Sequence, residues 1–362
     1  HLLVRLSRAE QSIKLENKNE FWSDVALETD TLFRLEGEHA VTLDEPNVLV
    51  LDMPRWRISP ESAWHEREEI LRIDDLVRAQ LGLPLRRDRA AQPWVDGIAE
   101  GTDAVLELAY EVENLVPVGK VRLGMENPER AECFLDGCRQ SLRFDAWWLD
   151  PAIRTAEFPD LVPGKHEIII KIAFNRSTDL EKVYLLGDFG VEVRGDKARL
   201  ISPVSSLCWG NAAAMGLPFY GGKLTYHIRF VLEKSMPLRL HLPSRITDMP
   251  NVGNDILSCK ELPLGAYRGV TAGIILDGKI FRDLAFAPYE CELGTLEAGE
   301  HRLDIELYGS RINCAGSLHL NFRIPWSGPA SFRPQGDLFG HEYHIVPFGI
   351  FCAPKLLRGR TD

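Results

Sequence analysis

Two kinds of side-chain grouping in this chain could do chemistry. Aromatic residues stand beside polar ones at four places: Asp145 with Trp147 and Trp148, Trp209 with Asn211, the pair Phe219 and Tyr220, and Arg311 and Asn313 with Tyr289. A sugar packs its C–H face on a flat ring while its hydroxyls bond to Asp, Asn or Arg, so these pairs are the ingredients of a carbohydrate contact. The bland alternative is local: on an alternating strand one of Trp147 and Trp148 points into a core, and Phe219 and Tyr220 could seal a domain seam. Carboxylates are the second kind. Glycosidic hydrolysis takes two of them, about 5 Å apart for retention and up to about 9.5 Å for inversion. The chain has 53 acids, and Glu126, Asp145, Asp188 and Glu342 lie nearest its aromatic and glycine-rich segments. Each is equally the kind of acid that a solvated turn carries.

Other chemistries lack their residues. There is no serine nucleophile elbow, His-Glu-x-x-His helix, P-loop or dinucleotide fingerprint, and Gly221-Gly222-Lys223 leads into a strand pattern rather than a helix. His341, Glu342 and His344 cluster, but strand spacing would put the two histidines on opposite faces, which opposes chelation of one ion. No cofactor is implied. Loop carboxylates and carbonyls are, however, the oxygen donors that a structural calcium ion takes. A net charge of -11 argues against nucleic acid or an anionic membrane as partner, since both select clustered Lys and Arg. No apolar run is long enough to cross a bilayer. The seven cysteines are scattered, and Cys133 and Cys138 beside a tight turn read as free thiols on strands. Free thiols and the lack of a visible signal peptide favour a cytoplasmic location, and a start at His1-Leu2-Leu3 fits a processed product or an excised piece.

The elements that must carry these side chains are strands, and one phrase of them occurs twice. Phe134-Leu135-Asp136-Gly137 precedes Leu161-Val162-Pro163-Gly164-Lys165-His166-Glu167-Ile168-Ile169-Ile170. Ile275-Leu276-Asp277-Gly278 precedes Leu296-Glu297-Ala298-Gly299-Glu300-His301-Arg302-Leu303-Asp304-Ile305. Aligning Gly164 with Gly299 superimposes His166 on His301, Ile168 on Leu303 and Ile170 on Ile305, all at period two. Each Asp-Gly supplies the positive φ of a tight hairpin. The expected fold class is therefore all-β, two related antiparallel β-sandwiches at residues 97–200 and 201–362. They follow an N-terminal β and helical annex at 1–96. Within that annex, short strands are expected at Val25 to Leu27, Thr31 to Leu35 and Val48 to Leu51, and a helix opening at Ser59-Pro60 with apolar residues Ile70, Ile73, Val77 and Leu81 on one face. A strand over Tyr343 to Phe351 is expected to close the second sandwich. The turn cluster Gly216 to Gly222 is expected to present its aromatics for binding.

Asn47 to Asp52, the hairpin with Trp147, Tyr184 to Phe189, Pro218 to Gly222 and Pro347-Phe348-Gly349 occur in an order that resembles the non-catalytic, galactose-binding-like β-sandwich regions of large bacterial glycoside hydrolases, of the rhamnosidase and β-galactosidase kind. The resemblance spans nearly the whole chain. It implies jelly-roll sandwiches that hold a glycan or brace a catalytic domain of the same or a longer chain. The enzymes' catalytic barrel has no counterpart here, because no run of alternating strands and helices is present. The resulting expectation is a carbohydrate-binding or structural accessory region. Two alternatives stand beside it: a self-sufficient glycosidase with acids at the interface of the sandwiches, and a purely structural interaction module.

Overall fold

The structure is a computed structural model that describes residues 31–59, 63–86, 104–242, 267–268, 271–286, 288–321 and 332–359. The expected strand at Val25 to Leu27 lies outside the described residues. What is described is mostly antiparallel sheet, arranged as two β-sandwiches, each with its own core.

The first sandwich faces a five-stranded sheet against a larger one. The five strands run in the order Asn47–Leu51, Val183–Gly187, Arg122–Met125, Asp150–Glu157 and Phe144–Trp148. Opposite them lie Gly190–Arg194, Lys197–Ile201, Ala104–Asn114, Gly164–Phe174, Ala131–Leu135 and Cys138–Gln140, with Arg55–Ser59 also paired to Ala104–Asn114. Alternation decides what is inside: Leu106, Leu108 and Val112, with Ile168 and Ile170 across the ladder, are at most 1% exposed. Leu49, Leu123 and Leu185 meet them from the other sheet.

The second sandwich repeats this plan. Its six-stranded sheet runs Ser206–Cys208, Glu38–Leu43, Lys223–Leu232, Gly299–Tyr308, Thr271–Leu276, Lys279–Leu284, and its four-stranded sheet runs Thr31–Arg34, Lys355–Arg358, Met236–His241, Glu290–Leu296. The strands carrying Ile168 and Leu303 hold the same place, each between a long partner and the first strand of the Asp-Gly hairpin. The repeated phrase is conserved in geometry down to single bonds. His166 Nδ1 lies 2.7 Å from Asp136 Oδ2 and its Nε2 lies 2.8 Å from the Val162 carbonyl. His301 makes the same pair, 2.8 Å to Asp277 and 2.9 Å to Glu297. Both ring nitrogens face acceptors, so the doubly protonated ring satisfies both. Burial pulls each histidine pKa down, and the carbonyl and carboxylate together outweigh it and raise it. Asp136 and Asp277 stand at φ 49° and 50°, and Gly164 and Gly299 at 144° and 143°, the last two a backbone region that glycine enters without strain.

The chain path differs from a string of two beads. Thr31–Arg34 and Glu38–Leu43 complete the second sandwich, while Asn47–Leu51 and Arg55–Ser59 complete the first. The segment read as an annex is thus shared out between the two, and residues 47–201 form a sandwich set inside the chain of the other.

Three local expectations are corrected. Helix α1 spans Ile70–Gln80 rather than opening at Ser59-Pro60. Ser59 ends a strand paired to Val105, so ladder bonds override the local capping signal. Glu69 caps the helix instead, its Oε2 accepting from the Leu71 and Arg72 N–H groups at 3.1 Å each. Ile70, Ile73 and Val77 lie on its buried face as the spacing requires, whereas Leu81, expected with them, follows the helix end and is exposed. The strand expected over Tyr343 to Phe351 shrinks to Gly349–Ile350, because Lys355–Arg358 takes the ladder position beside Met236–His241. The turn Gly216 to Gly222 is buried, with Phe219 and Tyr220 at most 1% exposed.

Candidate functional site

The ten residues singled out for sugar contact separate into two groups. One group of eight is built into the seam between the sandwiches or into their cores. Phe219, Cys314 and Leu318, which belong to the second half of the chain, pack into the first sandwich's core, and Phe219 meets Tyr343 edge-on at 5.4 Å. The crossover Asp44-Glu45-Pro46 between the sandwiches is clasped from both sides. The Tyr220 hydroxyl lies 2.9 Å from Asp44 Oδ1 and 2.8 Å from the Lys223 carbonyl. Arg311 forks onto both Glu45 oxygens while its guanidinium stands 5.9 Å from the Trp148 ring. Asn313 both donates to and accepts from the Val346 backbone, at 2.8 and 2.9 Å. Asn211 accepts from the Ala213 and Phe348 N–H groups. Trp209 donates to the Leu35 carbonyl and stacks on Tyr226 at 4.7 Å, and Tyr289 is half-buried against the second core. A ring without an exposed face cannot stack on a sugar, so Trp148, Phe219 and Tyr220 serve packing.

Asp145 and Trp147 form the other group and stay in solvent. Trp147 is 59% exposed on the edge strand Phe144–Trp148. Asp145 pairs with Arg122 at 2.9 Å, a bond that holds its carboxyl below the usual carboxylate range. Directly across the ladder from Trp147 is Arg154. Arg154 lines a cleft of about 660 Å³ at the open edge of the first sandwich, where the Ala131–Gln140 hairpin parts from the facing sheet. Met125, Cys133, Leu142 and Phe144 give the cleft an apolar floor, and Glu129, Glu132, Arg139, Gln140 and Ser141 give it polar walls. Arg139 is held by Glu132 at 2.6 Å, and Arg154 donates to the Phe144 carbonyl at 2.7 Å. Burial pushes the Cys133 thiol up to about 12, so it lines the floor as an inert apolar group.

None of Glu126, Asp145, Asp188 and Glu342 lines this cleft. Asp188 and Glu342 are exposed. The Glu126 carboxyl is raised by burial and by the charges of Asp179 and Asp150. His341 and His344 lie in irregular backbone, and among the described residues no group of three or more His, Cys, Asp or Glu is placed to hold a metal ion. Cys133, Cys138, Cys208, Cys291 and Cys314 are free thiols.

The seam between the sandwiches carries acids that the sequence reading did not single out. Asp52 ends the buried strand run from Asn47 and is 0% exposed, and Glu69 is 4% exposed. Tyr343 donates to Asp52 Oδ1 at 2.9 Å, and His319 Nε2 lies 3.3 Å from Asp52 Oδ2, out of line for a hydrogen bond. Lys182 donates to the Gly316 carbonyl nearby. Burial alone would raise Asp52, but His319, Lys182 and Tyr343 outweigh it and hold the carboxyl low. Burial, with the Asp52 charge added, pushes Glu69 up to about 7. Two carboxyls driven apart in this way resemble an acid and base pair, yet neither is exposed to a substrate. Asp52 holds the segment around His319 and Tyr343 against the first sandwich, and Glu69 caps helix α1.

No family model matches the chain, and no curated protein matches it. Among solved structures, 71% of the chain is similar to 23% of the rhamnosidase from Novosphingobium sp. PP1Y, at 12% identity and a TM-score of 0.27. Over 73% it is similar to 31% of the β-D-mannosidase from Dictyoglomus thermophilum, again at 12% and 0.27. Over 76% it is similar to 38% of a GH2 β-galacturonidase from Eisenbergiella tayi, at 10% and 0.21. The likeness to these glycosidase chains is distant, and the chain spans well under half the length of each.

Proposed function

We propose that this chain is a carbohydrate-binding and bracing region of glycoside-hydrolase type, without a reaction of its own. One observation carries the reading: an open cleft with an apolar floor and hydrogen-bonding walls, flanked across the ladder by a tryptophan that is 59% exposed. A flat ring beside short-reach donors and acceptors suits the two faces of a sugar, apolar and polar. The clasped seam suits the bracing role, since it sets the two sandwiches in one orientation for a catalytic partner domain of the same or a longer chain. A structural calcium ion belongs to the same proposal, and a fall in melting temperature on adding a chelator would reveal it.

Calorimetric titration with a glycan panel tests the reading. The expected result is binding with a dissociation constant on the order of 0.01 to 1 mM, as a shallow site with one stacked ring provides. Trp147→Ala should weaken it at least tenfold without lowering the melting temperature. Turnover of aryl glycosides, lost in a single-acid variant, would establish the self-sufficient glycosidase instead. Neither binding nor turnover would leave the structural module.

A further inference from the structure

We infer that the cleft selects a glycan bearing an anionic group, a carboxylate or sulfate, seated on Arg154; this rests on the carbohydrate-binding reading above. The lining of the cleft carries two guanidinium groups, those of Arg139 and Arg154, and two carboxylates, those of Glu129 and Glu132, with Arg122, Arg143 and Asp145 close by in the sequence or on neighbouring strands. Two of the arginines are already matched, Arg122 by Asp145 at 2.9 Å and Arg139 by Glu132 at 2.6 Å. Among the described residues Arg154 has no carboxylate partner. Its one hydrogen bond, 2.7 Å to the Phe144 carbonyl, uses a single N–H and fixes the guanidinium in place, which leaves further donors of the fork directed to solvent. Arg143, exposed on the loop that forms one wall, has its charge directed on Asp145 but makes no ion pair among the described residues. The acid left over is Glu129, exposed on the lip.

A fixed guanidinium with spare donors binds an oxyanion in bidentate fashion and distinguishes it from a hydroxyl by charge. Register supplies the spacing. Directly opposed residues of an antiparallel ladder have Cβ atoms about 4.5 to 5.5 Å apart, and Trp147 is directly opposite Arg154. A pyranose stacked on Trp147 therefore carries its ring substituent to Arg154. With a chain net charge of -11, the bulk of the protein repels a polyanion, so the discrimination has to come from this edge and has to be short-ranged.

Trigalacturonate and its fully methyl-esterified form are the probes, since they differ in charge and hardly in shape. The full chain should bind the acid at least tenfold more tightly than the ester in 50 mM salt, and the ratio should shrink in 500 mM salt. Arg154→Gln should bring the ratio of acid to ester affinity to about one. Arg143→Gln, at a side chain outside any hydrogen bond or ion pair, should lower the ratio partway with folding intact. Trp147→Ala should weaken both ligands alike. Equal binding of acid and ester would overturn the inference and leave the glycan-binding reading in place. Failure to bind these probes and every neutral glycan would overturn both. A sulfated neutral oligosaccharide that binds as tightly as the acid would assign the preference to charge rather than to carboxylate shape.

Discussion

The two sandwiches share a common set of strands, and one of the edges at which they differ carries the candidate site. In both, a long central strand pairs with the Asp-Gly hairpin and with the strand that precedes it, and the facing sheet repeats the same order. In the second sandwich, residues 285–289 are all that separates the hairpin strand Lys279–Leu284 from Glu290–Leu296. In the first, the matching interval contains an added strand, Phe144–Trp148, with Trp147 on it and the cleft behind it. Duplicated cores are held alike by packing, whereas an edge strand touches one neighbour and is free to diverge. Another divergence is the connection after the second strand of each sandwich. In the first it holds helix α1; in the second it holds the whole first sandwich.

The sharpest way to break this comparison is to cut both cores at equivalent points. Ile170 and Ile305 are each 0% exposed and face the same hairpin position. Replacing either by Ala should cost roughly 2 to 5 kcal/mol in urea melts, and the two losses should agree to within about 1 kcal/mol. A large loss at one site alone would show that the cores are alike in path but not in packing. Lys171 and Glu306, their outward neighbours, are less neutral than alternation alone suggests. Lys171 pairs at 3.1 Å with Glu107, which is 2% exposed, and Glu306 pairs with Lys223.

A second test uses a difference. Glu69 belongs to the seam and to the first sandwich, and the second has no matching buried acid on a capped helix among its described residues. Its folded pKa, about 7, lies above the unfolded value near 4.5. A raised carboxyl retains its proton in the fold, so the stability it contributes is present below pH 4.5 and is lost as pH rises toward 7. The loss is on the order of 3 kcal/mol at full ionisation. His319, also raised, acts in the same direction: its contribution is present below its unfolded value of 6.5 and is lost above that. Asp52, held low, acts the other way and only under strong acid, below about 3.8. The melting temperature should therefore be higher at pH 5 than at pH 8, and Glu69→Gln should flatten the difference. A profile unchanged in that variant would remove Glu69 from the account.

The smallest effect sharpens the likeness. His166→Ala and His301→Ala each remove one charge-assisted bond and one bond to a carbonyl, so each should cost about 1 to 3 kcal/mol, with the larger share near neutral pH or below. Both histidines are raised from 6.5, and the stability they contribute fades as pH rises through their folded values. Nuclear magnetic resonance titration of the two rings would show whether they titrate together; a histidine at its ordinary value would mark one hairpin as the looser copy.

Much of this was legible in the residues. The repeat around Gly164 and Gly299 located equivalent strands, because period-two alternation and Asp-Gly turns are local properties that a chain states directly. The face of Ile168, Ile170, Leu303 and Ile305 followed from the same rule. The role of an aromatic residue could not be read that way. Trp147 and Trp148 are neighbours of identical type, yet one is 59% exposed and the other 7%, and Phe219 and Tyr220 look like a displayed loop until the other sandwich is laid on them. Burial depends on what packs against a face from far along the chain. The same holds for Arg154: its place beside Trp147 is set by pairing between strands, and its lack of a carboxylate partner among the described residues by where Glu132 and Asp145 found other partners. The nested path is likewise a tertiary decision. Four short strands between Thr31 and Ser59 satisfy the same local pattern, and only the edges available in two finished sheets determined that the first two would join one sandwich and the last two the other.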